Sequence, residues 1–319
     1  MEYRQLGGSG VRVSEVALGG WLTQGMKLDY DATDRLVKSA FDMGIVFFDT
    51  ADAYAKGESE KALALPFADM RRDDIFVATK CYWPMSENTN DKGLSRKHVF
   101  QSIEGSLSRM RLDYVDLYQY HRYDELVPMH ELVRTMDDLI RQGKILYWGV
   151  SEWPVNRIVE AYYVARELGC CPPVSNQPQY SMMQRYIEPE ILPTCVRYGM
   201  GQVVWSPLAQ GVLTGKYKPG KEAPKGSRGA DKKATGRFMQ GNLNDETLQR
   251  VQKLVNLAKK YECSMAQFAL AWCLRQPGVS SVIIGATNEK QLAENAGCSG
   301  LDIPEDAWVK ADKILGIES

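Results

Sequence analysis

The stretch GIVFFDTADAY, Gly44–Tyr54, decides the fold. Its first half, Val46–Thr50, is a short, nearly unbroken apolar run, the pattern of a strand buried on both faces. It ends on Asp49 and Thr50, and Tyr54 follows in the next loop. Just upstream, Leu36, Ala40 and Met43 recur at helical spacing. The same alternation runs through the chain. Further strands are predicted at Ser14–Gly20, Ile75–Lys80, Tyr114–His121, Ile145–Ser151, Val174–Tyr180, Gln202–Pro207 and Ser281–Ala286. Between them lie amphipathic repeats such as Ile103, Leu107 and Met110, then Leu132, Met136 and Leu139, then Ile158, Tyr162, Ala165 and Leu168. Strands alternating with helices predict βαβ units and a parallel sheet. About eight units in roughly 300 residues suit an α/β fold of the closed (β/α)₈ TIM-barrel kind. An open doubly wound sheet is the alternative that this order leaves.

Two additions flank the repeat. Tyr3–Val13, with Gly-Gly-Ser-Gly between apolar runs, reads as an N-terminal hairpin capping the bottom of the barrel. Asp302–Gly316 reads as an extra C-terminal helix with Pro304 in its first turn. One long irregular stretch, Leu208–Asn244, carries glycines at 211, 215, 220, 226, 229, 236 and 241. Loops of that length in compact domains are usually lids or disordered. No linker divides the chain, so residues 1–319 are expected to form a single domain.

Composition narrows the function. With 39 basic and 40 acidic residues the formal charge is −1, so no global field draws the chain to nucleic acid or an anionic membrane. No run approaches the roughly 20 apolar residues of a membrane span, and the N-terminus lacks a signal peptide's apolar segment. Seven cysteines without a C-x-x-C pair, two of them the neighbours Cys170 and Cys171, fit a reduced, cytoplasmic protein. The strict dinucleotide G-x-G-x-x-G and the P-loop are missing. His130-Glu131 starts like a zinc-binding H-E-x-x-H, but Arg134 stands where the second histidine belongs, and no metal is expected. Gly149-Val150-Ser151 starts like a nucleophile elbow, but Trp153 replaces its second glycine. A nicotinamide cofactor, if bound, must be held by barrel loops.

Asp49, Lys80 and His121 each fall at the C-terminal end of a predicted strand, and Tyr54 follows one. In an α/β barrel those ends form the face that carries active sites. A lysine beside a tyrosine favours phenolate and lowers the phenol pKa from about 10, while Asp49 holds the lysine charged. The tyrosine is then a proton donor to a carbonyl oxygen, and His121 orients that oxygen. Singly, such a lysine is usually solvated and such an aspartate often caps a turn. Their joint register across three strand ends carries the reading.

The run GIVFFDTADAYAKGESE (Gly44–Glu60) resembles the signature of the aldo-keto reductases. The resemblance continues through ATK at 78–80, GLSRKHV at 93–99, LDYVDLYQYHRYD at 112–124, ILYWGVSEW at 145–153, WSPLAQGVLTGKY at 205–217 and VIIGATNEKQLAEN at 282–295. It is nearest to the branch containing potassium-channel β-subunits and their soluble bacterial and plant relatives. It implies reduction of an aldehyde or ketone by NADPH, with Tyr54 as acid, Lys80 and Asp49 as its tuning pair and His121 orienting the substrate. It further implies that Ser151, Asn176 and Gln177 hold the nicotinamide amide and that Trp205 stacks on the ring, with Trp21 and Asp49 close by. Ser206, Pro207, Leu208 and Gly211 belong to the cofactor loop. Lys216 is implied over the pyrophosphate and Arg228 at the adenosine 2′-phosphate. Gly285, Thr287, Gln291, Glu294 and Asn295 complete the adenosine side. A solvated basic loop is the plain alternative for Lys216 and Arg228, because Lys218, Lys221, Lys225, Lys232 and Lys233 crowd nearby.

Two departures stand out. Glu152 replaces the arginine that many relatives carry after the serine ending strand 5, and His121 is kept where channel-associated members tend to lose it. The leading expectation is an oxidoreductase acting on a small carbonyl compound, with NADP⁺ as its oxidised cofactor. The alternative is a channel-associated redox-sensing subunit with slow catalysis, which the start of the chain almost at the barrel argues against. Trp21, Tyr82, Trp83 and Tyr123 suggest an aromatic-lined substrate pocket. Relatives that dock to channels are fourfold assemblies, which implies a homo-oligomer, a tetramer or larger.

Overall fold

A computed structural model describes residues 1–231, 239 and 241–317; Lys232, Lys233 and Gly236 of the long loop lie outside the described residues. Eight parallel strands close into a barrel: β3 (Val16–Gly19), β4 (Phe47–Asp49), β5 (Phe76–Cys81), β6 (Val115–Tyr120), β7 (Ile145–Ser151), β8 (Ser175–Gln177), β9 (Gly201–Val204) and β10 (Val279–Ile284). They neighbour one another in chain order, and β10 closes the ring by pairing with β3 as Val282↔Val16 to Ile284↔Leu18. Each strand overlaps a predicted one; β7 has the predicted bounds, and the ends of the others differ by one to a few residues. The open-sheet alternative is thereby excluded.

Helices cross between successive strands. They include α1 (Tyr30–Asp42), α2 (Glu58–Ala68), α3 (Arg96–Met110), α4 (Met129–Arg141), α5 (Val155–Leu168) and α6 (Ile191–Arg197). Later ones span Asp245–Lys259, Met265–Leu274 and Glu289–Ala296. Side chains that accept from the first helical N–H groups set several starts. Asp29 caps α1 at 2.8 Å from Ala32 N, and Ser264 with Gln267 forms a reciprocal capping box. The C-terminal helix is Glu305–Leu315. Pro304 stands one residue ahead of it as an extended cap rather than in its first turn, its carbonyl accepting from Ala307 N.

Strand residues alternate faces, and this alternation sorts the barrel into layers. Phe48, Val77, Cys81, Tyr118, Tyr120, Trp148 and Val150 point outward into the core beneath the helices. Ala17, Phe47, Phe76, Ala78, Leu117 and Val203 point inward and fill the lower lumen, with Phe47 and Phe76 edge to face at 4.9 Å. The expected hairpin, β1 (Tyr3–Gln5) and β2 (Arg12–Ser14), closes that end by inserting Leu6 and Val13. Gly7 makes the approach possible. At φ +59 it lies so close to the β9 entrance that a Cβ would sit 2.4 Å from Gly199 O. The next inward layer up the barrel is polar: Asp49, Lys80, Gln119, Ser151 and Gln177.

The long stretch after β9 is partly organised, with 3₁₀ turns at Ala209–Thr214 and Arg228–Ala230. Gln252 Nε2 ties its start to the wall through Gly215 O (3.1 Å) and Tyr217 O (3.2 Å). Among the described residues, no helix is long and apolar enough to cross a membrane. All seven cysteines are unpaired thiols.

Candidate active site

The polar layer is built around a buried ion pair. Lys80 is fully buried, and its Nζ lies 2.6 Å from Asp49 Oδ1 and 2.6 Å from Thr50 O. Charges in a dry interior persist only when paired and hydrogen-bonded. Asp49 is satisfied further, since Oδ2 accepts from Gln177 Nε2 at 2.9 Å and from Gln119 Nε2 at 3.5 Å. Burial works against the ammonium, but Asp49, through its charge and hydrogen bond, and the neighbouring Tyr54 oxygen outweigh it. The Lys80 pKa is raised, and the lysine stays charged.

Tyr54 enters this layer from the loop after β4. The backbone turns sharply there, with positive φ at Ala55 (51°), Lys56 (53°) and Gly57 (89°). Only glycine suits the last of these, because a Cβ would also meet Arg109 Cδ at 2.7 Å. Arg109 in turn bonds Glu60 at 2.7 Å, a fully buried carboxylate that also accepts from Thr79. The turn presents the half-buried Tyr54 ring 5.0 Å from Lys80 Nζ and 5.7 Å from the His121 ring. Burial raises the Tyr54 pKa, and the opposing pull of Lys80 does not overcome it. The expected net lowering is therefore not found; the phenol is held protonated. Burial, with help from Lys80 and Arg122, pushes the His121 pKa well below 6.5, so the imidazole is neutral. Its Nδ1 is buried with no partner among the described residues.

The residues assigned to a cofactor divide into two groups. Ser151 and Gln177 face the lumen together, with Ser151 Oγ donating to Gln177 O at 2.8 Å. Asn176 does not join them. Being consecutive with Gln177 in β8, it faces outward, where Nδ2 meets Gln202 Oε1 at 3.0 Å. The expected carboxamide pair is corrected by strand alternation itself. The second group brings three loops together. Arg228 lies 5.8 Å over the Trp21 ring, donates to Gln210 and has Nη2 3.3 Å from where a Cβ on Gly285 would be. Gln210 reaches Ser206, and Gly211 leaves room for Lys216 Nζ. Pro207 is buried and Leu208 half-buried within this turn. Beside Gly285, Gln291 Oε1 accepts from both Thr287 N and Thr287 Oγ1 at 3.0 Å. On the same helix Glu294 is exposed and Asn295 buried.

Other residues gain a place only in three dimensions. Glu152, where relatives carry arginine, accepts from Gln179 N (2.6 Å), Tyr186 Oη (2.7 Å) and Trp205 Nε1 (2.8 Å). It fixes the Trp205 ring. Gln119 sits two residues before His121 on the same face of β6, a spacing that the strand period makes readable. Tyr82 and Trp83 pack edge to face at 5.0 Å, and Trp83 stands 6.2 Å from the His121 ring. Tyr123 turns away from them toward Trp153 and Arg157, so it does not line this side.

The barrel and its polar layer belong to a chain whose residues 15–315 match the family model of the Aldo/keto reductase family. This chain is a member of that family. Two plant relatives cover 92% of it and are themselves covered over 90% of their length. Both are described as a probable voltage-gated potassium channel subunit beta, from Oryza sativa subsp. japonica at 43% identity and from Arabidopsis thaliana at 41%.

Proposed function

We propose that this chain acts as one catalytic domain that reduces an aldehyde or ketone to the alcohol with NADPH, using Tyr54 as the proton donor. The observation that carries the reading is the convergence of a protonated Tyr54, a charged Lys80–Asp49 pair and a neutral His121 on one face of the lumen. The residues present fit a dinucleotide. Arg228 forms no ion pair among the described residues at the junction of three loops, and Trp205 is braced as a flat wall by Glu152. Arg228 is assigned the 2′-phosphate, Lys216 the pyrophosphate, and Ser151 with Gln177 the carboxamide. When bound, the cofactor supplies hydride to the carbonyl carbon.

The chain's own groups manage the oxygen. Neutral His121 donates a hydrogen bond that orients it, and Tyr54 releases its proton as negative charge builds there. Lys80 stabilises the phenolate left behind, which offsets the cost of ionising a half-buried phenol. Replacing Tyr54 with Phe is expected to lower turnover of a generic aldehyde by roughly 10²–10⁴-fold, while NADPH binding, read by fluorescence titration, stays nearly intact. Near-normal turnover would remove Tyr54 from the acid's role.

The names of the plant relatives favour a second reading, in which the barrel also docks to a voltage-gated potassium channel as a redox-sensing subunit with slow catalysis. Copurification with such a channel, together with sluggish turnover across an aldehyde panel, would support it.

A further inference from the structure

Arg122 follows His121 directly and is a second cation, besides Lys80, whose charge acts on the His121 imidazole. Its half-buried guanidinium lies 5.7 Å from the Trp83 ring and donates through Nη1 to His121 O and to Ser151 Oγ, the latter at 3.4 Å. Three other part-buried arginines of the barrel meet carboxylates, Arg72 with Asp116, Arg109 with Glu60 and Arg185 with Asp312, whereas Arg228, among the described residues, does not. Arg122 meets none among the described residues.

Three acids around it are engaged elsewhere, and Glu125 is exposed to solvent. Asp49 serves Lys80, Glu152 takes three donors, and Asp124 accepts from Leu94 N and Leu126 N. Arg122 Nε and Nη2 donate to nothing among the described residues, which leaves one edge of the planar fork open on a guanidinium 5.7 Å from the Trp83 ring. That edge matches the two oxygens of a carboxylate. The apolar Trp83 face next to it suits a short carbon chain.

We propose that Arg122 is a specificity-determining residue that binds the carboxylate of a short oxo acid whose carbonyl oxygen lies between Tyr54 and His121. The proposal rests on the reductase reading above. It makes the preferred substrates aldehydes or ketones bearing a carboxylate a few bonds from the carbonyl.

The test compares glyoxylate, succinic semialdehyde and glutaric semialdehyde, each against its methyl ester, with NADPH and full-length protein. The wild type is expected to prefer the acid in kcat/KM for at least one chain length. In Arg122→Met that acid-over-ester ratio is expected to fall by roughly 10- to 150-fold, the worth of a charge-assisted hydrogen bond. The loss is expected mainly in KM, because the contact is made before and during the chemical step alike. Arg122→Lys should keep part of the preference. Succinate, which cannot be reduced, should compete with the ester in the wild type and far less in Arg122→Met. No acid preference at any length in the wild type overturns the proposal even if the variants fold poorly, and so does an unchanged ratio in folded variants. Turnover of neither acids nor esters would instead sink the reductase reading, and this proposal with it.

Discussion

Removing the Lys80 ammonium would leave the Asp49 carboxylate buried with only amide donors, Gln177 at 2.9 Å and Gln119 at 3.5 Å. Asp49 is 3% exposed and Lys80 0%, so water cannot replace the lost partner. Breaking one side of such a pair costs about 3–5 kcal/mol. Unfolding entropy is about 2.1 cal/mol/K per residue, or roughly 0.7 kcal/mol/K over a chain of this length. Lys80→Met should therefore lower Tm by about 5–7 °C. Asp49→Asn alone should also destabilise, since it leaves the ammonium with Thr50 O and the Tyr54 phenol. The double variant buries neither charge, and its loss should be smaller than the sum of the singles by about 2 kcal/mol or more. Urea unfolding of the four proteins at pH 7, with reversibility checked by refolding, reads each value. Additive losses, or a Lys80→Met cost below about 1 kcal/mol, would refute the claim that the two charges are a coupled unit.

Other expectations follow from the same geometry. Arg228→Ala should weaken NADPH binding by roughly 10- to 150-fold and leave NADH almost unchanged, whereas Lys216→Ala should weaken both alike; titrations at one ionic strength decide, and equal losses at Arg228 would remove it from the 2′-phosphate. Asp52 is buried in the loop before Tyr54, and burial, only partly offset by its bond from Ser102, pushes its carboxyl from 3.8 up to about 7. The folded chain then keeps a proton that the unfolded chain has lost, so stability should fall as pH rises from about 4 to 7 and level off above. Asp52→Asn, which cannot ionise, should therefore gain on the wild type by up to about 4 kcal/mol at pH 8, at 1.36 kcal/mol per pKa unit, and lose that gain by pH 4. A gain independent of pH in urea midpoints would contradict the buried titration.

Much of this molecule is written in local pattern. The period-two strands and the helical repeats between them depend on which faces are apolar, and that is a property of neighbouring residues. For the same reason Asp49, Lys80 and His121 could be assigned to strand ends, and Tyr54 to the loop beyond one, before any contact was known. Strand alternation also separates Asn176 from Gln177 and puts Gln119 on the same lumen face as Asp49.

What the chain order could not supply is the outcome of opposing long-range terms. Whether Tyr54 titrates low or high depends on Lys80 attraction against burial, and burial is set by elements far apart in sequence. Arg122 reads locally as one more basic residue in HRYD; only the closed barrel shows that Asp49, Glu152 and Asp124 already have other partners. Glu152 likewise reads in sequence only as the residue that stands in place of the relatives' arginine, and the fold gives it Trp205, 53 residues away, to hold. Sequence pattern determines which side chains face the lumen. Tertiary packing decides which of them are desolvated and which partner each one meets, because those energies depend on distance and water exclusion rather than on order along the chain.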